Sequence, residues 1–181
     1  MKQKFSKMGR AAFLVMMVMV VTFTARAATD LRVEAERTIT KFKQADPGLQ
    51  TFFDNSAGYA VFPGVGKGGL IIGGQHGKGL VYEKGVVVGE ATLTEANIGA
   101  QIGGESFDEL IFFETPAALQ EFKQGKFVMS ATANAVAATA GAEKMAKYEQ
   151  GVAVFTLPRK GLMAQATVGG QKFKFTPLTQ P

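Results

Sequence analysis

Two neighbouring glycine-rich segments hold the residues of this sequence whose types and spacing could bind a phosphate. Gly64-Val-Gly-Lys-Gly-Gly69 matches the Gly-x-Gly-x-x-Gly fingerprint of dinucleotide-binding loops. That fingerprint works when its glycines lead into a helix whose N-terminus holds the pyrophosphate. Here the apolar run Leu70-Ile-Ile72 follows, which predicts a strand. We therefore exclude a nucleotide-binding loop at this segment.

The second segment, residues 73–79, has the glycine spacing of a phosphate loop, but no Ser or Thr follows its lysine and no helix is predicted after it. A weaker possibility remains. Successive glycine amides near Lys67, His76 and Lys78 could form a concave anion-binding surface. The alternative is a pair of ordinary glycine turns that carry solubilising lysines, and the sequence favours this alternative.

The sequence offers little for catalysis or metal binding. His76 is the only histidine and there is no cysteine, so disulfides and thiolate sites are excluded. Neither Ser106 nor Ser130 lies in a Gly-x-Ser-x-Gly elbow. We expect no catalytic residue, no metal and no cofactor. Three acidic residues that are close in sequence predict a solvated strand edge rather than an acid/base pair: Glu105, Asp108 and Glu109.

Residues 1–27 have the layout of a cleavable secretory signal. A basic start precedes the apolar run 11–21 and the small-residue site Ala25-Arg-Ala27, which predicts cleavage after Ala27. The formal net charge of +5 comes from this segment, because 15 basic and 15 acidic residues remain without it. A neutral mature chain argues against nucleic-acid binding. We predict one periplasmic or secreted domain over residues 28–181.

Residues 30–45 are predicted to form an amphipathic helix that ends at Asp46-Pro47-Gly48. Two interpretations are open. The helix could lay its apolar stripe on a sheet, which is the commoner case. Its basic C-terminal half, with Phe42 exposed, is also typical of a helix on a membrane surface. The apolar stripe consists of Leu31, Ala35, Ile39 and Phe42.

The rest of the chain predicts many short strands. Fourteen of the 22 glycines fall between residues 58 and 104, where their density excludes helix. The predicted fold class is α+β and mainly β, a curled or closed and largely antiparallel sheet. The N-terminal amphipathic helix and a second short helix, from Thr115 through Phe122, pack on it. A further helical turn is predicted at 49–55. The predicted strands are Tyr59–Phe62, Gly69–Gln75, Gly79–Glu83, Val86–Thr94, Asn97–Gly103, Glu109–Phe113, Phe127–Ala137, Val152–Leu157, Gly161–Val168 and Lys172–Phe175, with turns at Glu83-Lys84-Gly85 and Pro158-Arg-Lys160.

An ordered series of short motifs over roughly residues 35–170 resembles the SYLF domain, also called the lipid-binding or yeast-type actin-binding domain. The series covers nearly the whole mature chain, which makes it more specific than any one glycine pair. The motifs are Gly58-Tyr-Ala-Val-Phe-Pro63, Lys67-Gly-Gly69, Gly73-Gly74, Gly77 with Gly79, Ile98-Gly-Ala-Gln-Ile-Gly103, Leu110-Ile-Phe-Phe113, Phe122 with Gly125-Lys-Phe127, and Arg159-Lys-Gly-Leu-Met163.

The resemblance implies a non-enzymatic module. Eukaryotic relatives bind phosphoinositide membranes with the help of an amphipathic N-terminal helix, and some bind actin filaments. By position, that helix is Asp30–Ala45 here, with Phe42 entering the interface. The lipid- or anion-binding residues that we predict, from the resemblance and from the glycine-rich segments together, are Arg37, Lys41, Phe42, Lys43, Lys67, His76 and Lys78.

This chain departs from the cytosolic relatives in its signal peptide and in the absence of an attached SH3 domain. These departures argue against actin as the partner and favour an anionic phospholipid surface of the cell envelope. The alternative is a structural or assembly protein of the envelope that binds another protein through its glycine-lined faces.

Overall fold

A computed structural model describes residues 30–67, 74–96, 106–130, 135–160 and 170–178 of the 181. The predicted signal peptide and the predicted strands at 97–103 and 161–168 lie outside these residues. In the described part, residues 30–45 form helix α1. Helix α2 is Gln50–Asn55, preceded by a 3-10 turn at Pro47–Leu49, and helix α3 is Pro116–Lys123. None of the described helices is long and apolar enough to cross a membrane.

The ends of α3 follow the signals that predicted it. The Thr115 hydroxyl accepts a hydrogen bond from the Ala118 amide at 3.2 Å, and Pro116 occupies the first turn, where its missing N–H costs nothing. Gly125 takes φ +67° just beyond the helix, a left-handed conformation that favours glycine. The predicted second helix is therefore confirmed.

Seven strands form one sheet in the order β5-β6-β4-β1-β2-β3-β7. All described pairs are antiparallel except β5 with β6. The sheet is not closed, so the mainly β fold class is confirmed in its open form. The strands are β1 Gly58–Lys67, β2 Gly74–Glu83, β3 Val86–Ala96, β4 Ser106–Phe113, β5 Val136–Ala137, β6 Val152–Lys160 and β7 Gln171–Pro177.

The β2–β3 hairpin turns where the sequence predicted. Lys84 and Gly85 have φ of 51° and 77°, the pair of left-handed residues that a two-residue type I′ turn requires. Two other predictions are wrong. Pro158-Arg-Lys160 continues β6 instead of turning, and the alternating segment 127–137 contains only the two-residue strand β5 in its described part.

Both faces of the sheet carry a hydrophobic core. On one face, α3 packs its buried Leu119 and Phe122 against the sheet together with Phe127 and Phe173. On the other, which we call the α1 face, α1, α2 and the segment 138–148 cover the strands around β6, β4 and β1. We call this part of the α1 face the covered region. Strand β4 is buried on both sides as a result.

Asp46 links α1 to the 138–148 segment through hydrogen bonds. Its buried carboxylate accepts hydrogen bonds from the amides of Gly48 at 3.0 Å, Glu143 at 2.8 Å and Gly141 at 3.4 Å. Burial disfavours the charged carboxylate, but these backbone hydrogen bonds outweigh it and lower the pKa of Asp46 below its ordinary value. The end of α1 is thereby fastened to the 138–148 segment.

Candidate functional site

The side chain expected to enter a membrane lies in the core. Phe42 is fully buried and belongs to the cluster between α1 and the sheet, and Ile39 packs against the same cluster. The interpretation of Phe42 as an exposed interfacial residue is wrong for this conformation, because its ring is already removed from water by β-sheet side chains. Of the two interpretations of α1, the helix packed on the sheet is the one observed.

The basic residues of α1 face several directions. Lys41 Nζ lies 3.6 Å from the carboxylate Oδ2 of Asp108, and Lys43 Nζ lies 4.5 Å from the ring centroid of Phe53, a cation–π distance. Arg37 is exposed. Two of the three predicted cations are thus engaged in contacts within the protein.

The predicted anion-binding turn is absent from the described part of the glycine-rich segments. His76 and Lys78 lie inside β2. His76 is paired with Gly66 of β1 and with Thr94 of β3, and Lys78 is paired with Thr92 of β3 beside the irregularity in β1. The predicted glycine turn is thus replaced by a strand at these two residues, and the anion-binding role of their side chains stays a prediction. Lys67 ends β1, and its side chain lies outside the described residues.

The glycines of β2 have a packing role instead. A Cβ at Gly79 would lie 2.4 Å from the Val61 carbonyl oxygen and 2.6 Å from the Phe62 ring, and a Cβ at Gly77 would lie 3.0 Å from a methyl of Val65. At Gly79 these contacts are too short for a Cβ unless the neighbouring strand shifts, whereas at Gly77 the Val65 methyl would have to move by a few tenths of an ångström. The glycines therefore allow β2 to lie close against the β1 side chains.

The opposite side of the same strand is basic and exposed. Cross-strand register places His76 beside Thr94 and Thr94 beside Lys172, and it places Lys78 beside Thr92 and Thr92 beside Lys174. Directly opposed residues project on one side of a sheet, so these two rows share a surface. All of them are exposed except Thr92, which is partly buried. We call this surface the basic sheet face: His76, Lys78, Thr92, Thr94, Lys172 and Lys174.

The basic sheet face lies on the α1 face, beside the covered region. Leu80 follows Lys78 by two residues, projects on the same side, and joins the cluster under α1. The strand spacing of about 4.8 Å puts Lys78 and Lys174, two strands apart, about 10 Å from each other. Threonines separate the lysines, which avoids like charges on directly opposed residues.

The charge of this face is not neutralised by the acids that the structure describes. None of its lysines forms an ion pair with a described residue, and the nearest acid along the same side is Glu90, opposite Leu80 and Thr176. Val128 bridges to Lys172 and is 51% exposed, which adds an apolar side chain at the edge of the face. Sequence reasoning named His76 and Lys78 but not Lys172 and Lys174.

Asp108 and Glu109 contradict the expectation of a solvated strand edge. Both are fully buried, because β4 is an interior strand between β1 and β6. Glu109 accepts a hydrogen bond from Gln171 at 3.0 Å on the α3 side. Asp108 projects on the α1 face, where it accepts hydrogen bonds from the Gly64 amide at 2.9 Å and pairs with Arg159 Nε at 2.5 Å.

Comparisons with known proteins agree on one family. Residues 94–176 match the model of the Ysc84 family, described as Las17-binding protein actin regulator and characterised by the SYLF domain. The matched part runs from the end of β3 through β7 and includes Asp108, Arg159, Lys172 and Lys174.

A relative from Aeromonas veronii, "Beta cell expansion factor A", is a SYLF-domain protein that is 28% identical to this chain over 142 residues. The alignment covers 77% of this chain and 53% of that protein, so the chain spans about half the length of the relative that it matches.

Proposed function

We propose, from the similarity of this chain to SYLF-domain proteins, that it is a non-enzymatic, exported protein that binds the surface of anionic phospholipid membranes. The family supports a domain of the lipid- or actin-binding type. The export signal predicted at residues 1–27 favours a lipid of the envelope over actin.

The observation that carries the proposal is the basic sheet face. Three lysines and a histidine project from neighbouring strands without a described acid to neutralise them, on the part of the α1 face that no described element covers. Each lysine near an anionic membrane contributes about 1 kcal/mol, so three together favour the anionic surface over a neutral one by roughly 100-fold. Val128 beside Lys172 supplies an apolar contact.

In this proposal α1 remains docked and does not enter the membrane. Undocking it would expose Phe42 and the aromatic residues beneath it to water, which costs about 2–3 kcal/mol for that one side chain. The strands therefore make the main contact with the membrane, while α1 stays packed on the core.

Vesicle flotation of the full chain tests the proposal. Binding to phosphatidylcholine vesicles alone reports any charge-independent binding, including that of the apolar run 11–21. Vesicles containing phosphatidylglycerol should bind the chain more tightly, and the variant Lys78→Glu/Lys174→Glu should lose roughly 30-fold or more in that affinity.

The matched control is Lys126→Glu/Lys144→Glu, which makes the same change of charge at exposed lysines outside the basic sheet face. Its affinity should stay close to that of the unchanged chain. Equal recovery with neutral and anionic vesicles, or equal loss in the two variants, would overturn the proposal.

A further inference from the structure

A buried carboxylate holds two exposed cations from different elements at the border between the covered region and the basic sheet face. Asp108 has a side chain only 1% exposed, while Lys41 on α1 and Arg159 on β6 are 49% and 32% exposed. Arg159 contacts Oδ1 and Lys41 lies nearest to Oδ2, so both cations converge on one carboxylate.

The two cations retain unused hydrogen-bonding capacity. Arg159 forms an ion pair with Asp108 through Nε, and no ion pair joins its terminal guanidinium nitrogens to another described acid. Lys41 lies at an ion-pair distance of 3.6 Å and donates no hydrogen bond to a described residue. Asp108 Oδ2, though buried, accepts no hydrogen bond from the residues that the structure describes. The cluster is thus incompletely satisfied on the side from which Lys41 approaches.

Gly64 provides the space for this arrangement. It lies in the β1 bulge with φ +73°, and a Cβ there would come within 2.6 Å of Arg159 Nη1. The absence of a side chain lets the guanidinium lie against the bulge, where the Gly64 amide donates to the same carboxylate. The backbone and Asp108 together fix the position of the guanidinium.

We propose that Lys41 and Arg159, aligned by Asp108, form a subsite for a terminal phosphate group. The cluster carries a net charge of +1, and a phosphate has several anionic oxygens that can accept from a guanidinium and an ammonium at once. Because Asp108 is buried and already bound to Gly64, it positions the cations without facing the ligand. This inference extends the proposed membrane binding by naming the chemistry that the border of the face recognises.

The first test uses inorganic phosphate and the full chain, at constant ionic strength. The chain has five arginines, so the Nε–H signal of Arg159 can be assigned in an NMR spectrum by its loss in Arg159→Lys. Phosphate should shift this signal and the Gly64 amide saturably. Lys41→Gln should weaken the binding roughly tenfold or more, because one charge-assisted contact is lost.

Arg32→Gln is the matched control, since it removes an exposed cation from the same helix more than two turns before Lys41. It should bind phosphate as the unchanged chain does. No saturable shift of Arg159 or Gly64, or equal weakening by Lys41→Gln and Arg32→Gln, would overturn the subsite.

A second test identifies the source of the phosphate and separates this inference from the proposed function. If the ligand is a lipid headgroup, vesicles with phosphatidic acid, a phosphomonoester, should bind more tightly than phosphatidylglycerol vesicles, and Lys41→Gln should remove that preference. A saturable phosphate shift without vesicle binding would support a soluble phosphate ligand and overturn only the membrane proposal. Vesicle binding without the shift would overturn only the subsite.

Discussion

On the α1 face of the sheet, β4 and β7 present opposite surfaces. Strand β4 buries the side chains on both of its faces, including Leu110 and Phe112 under α1. Strand β7 buries Phe173 on the α3 side and exposes Lys172 and Lys174 on the α1 face. The two strands belong to one sheet, but only β4 is covered by helices on this face. The helices therefore divide the α1 face into a structural region and a surface available for binding.

We expect the largest loss of stability from a substitution in the covered region. Replacing Phe42 by Ala removes one of the largest fully buried side chains and should lower the free energy of unfolding by about 3–5 kcal/mol, because the cavity under α1 cannot fully collapse. Urea denaturation followed by circular dichroism measures the loss.

The control for this change is Gln44→Ala on the same helix, an exposed position where the free energy should change by less than about 0.5 kcal/mol. Equal destabilisation by the two variants would contradict the docking of α1 through Phe42.

The two sides of strand β2 differ in the same way, since lysine and histidine lie on its exposed side and glycines on its packed side. Gly79→Ala should destabilise the protein by about 1–3 kcal/mol, because the new Cβ meets the Val61 carbonyl and the Phe62 ring. Gly66→Ala is the matched case on β1, with only an ordinary 3.8 Å contact to Ser106. Thermal denaturation checks this prediction. A lower melting temperature for Gly66→Ala than for Gly79→Ala would contradict the explanation.

A smaller effect concerns the tie between α1 and the 138–148 segment. The folded-state pKa of Asp46 is lowered, so its ionised carboxylate contributes stability above the unfolded pKa of about 3.9, and this contribution is lost as the pH falls through the folded value. Asp46→Asn should cost about 1–2 kcal/mol at pH 7 and should flatten the acid limb of the stability curve.

Asp54→Asn provides the comparison, because Asp54 is exposed and its carboxylate accepts a hydrogen bond from Gln50 on the same short helix. Asp54→Asn should change the free energy of unfolding at pH 7 by less than about 0.5 kcal/mol. An unaltered acid limb in Asp46→Asn would contradict the role given to the buried carboxylate.

The sequence predicted those elements whose signals are local. The helix at 30–45, its Asp46-Pro47-Gly48 end, the Lys84-Gly85 turn and the Thr115-Pro116 start of α3 each depend on residues a few positions apart. The family resemblance also followed from short motifs in order, and the match over residues 94–176 confirms it.

The rest depends on contacts between distant parts of the chain. Asp108 appeared to be a solvated acid because its partners, Lys41 and Arg159, are 67 residues before it and 51 residues after it in the sequence. The sequence predicted a strand at Lys172–Phe175, but not that this strand pairs with β3. Only that pairing places its lysines beside His76 and Lys78.

The most direct test of the account asks which surface meets the membrane. The chain has no cysteine, so a single introduced cysteine can carry an environment-sensitive fluorophore. We compare Thr94→Cys on the basic sheet face with Gln120→Cys on the exposed side of α3. Phosphatidylglycerol-containing vesicles should shift the emission of the label at 94 to shorter wavelength and leave the label at 120 unchanged. No shift at 94, or a shift at 120 of the same size, would contradict binding through the basic sheet face.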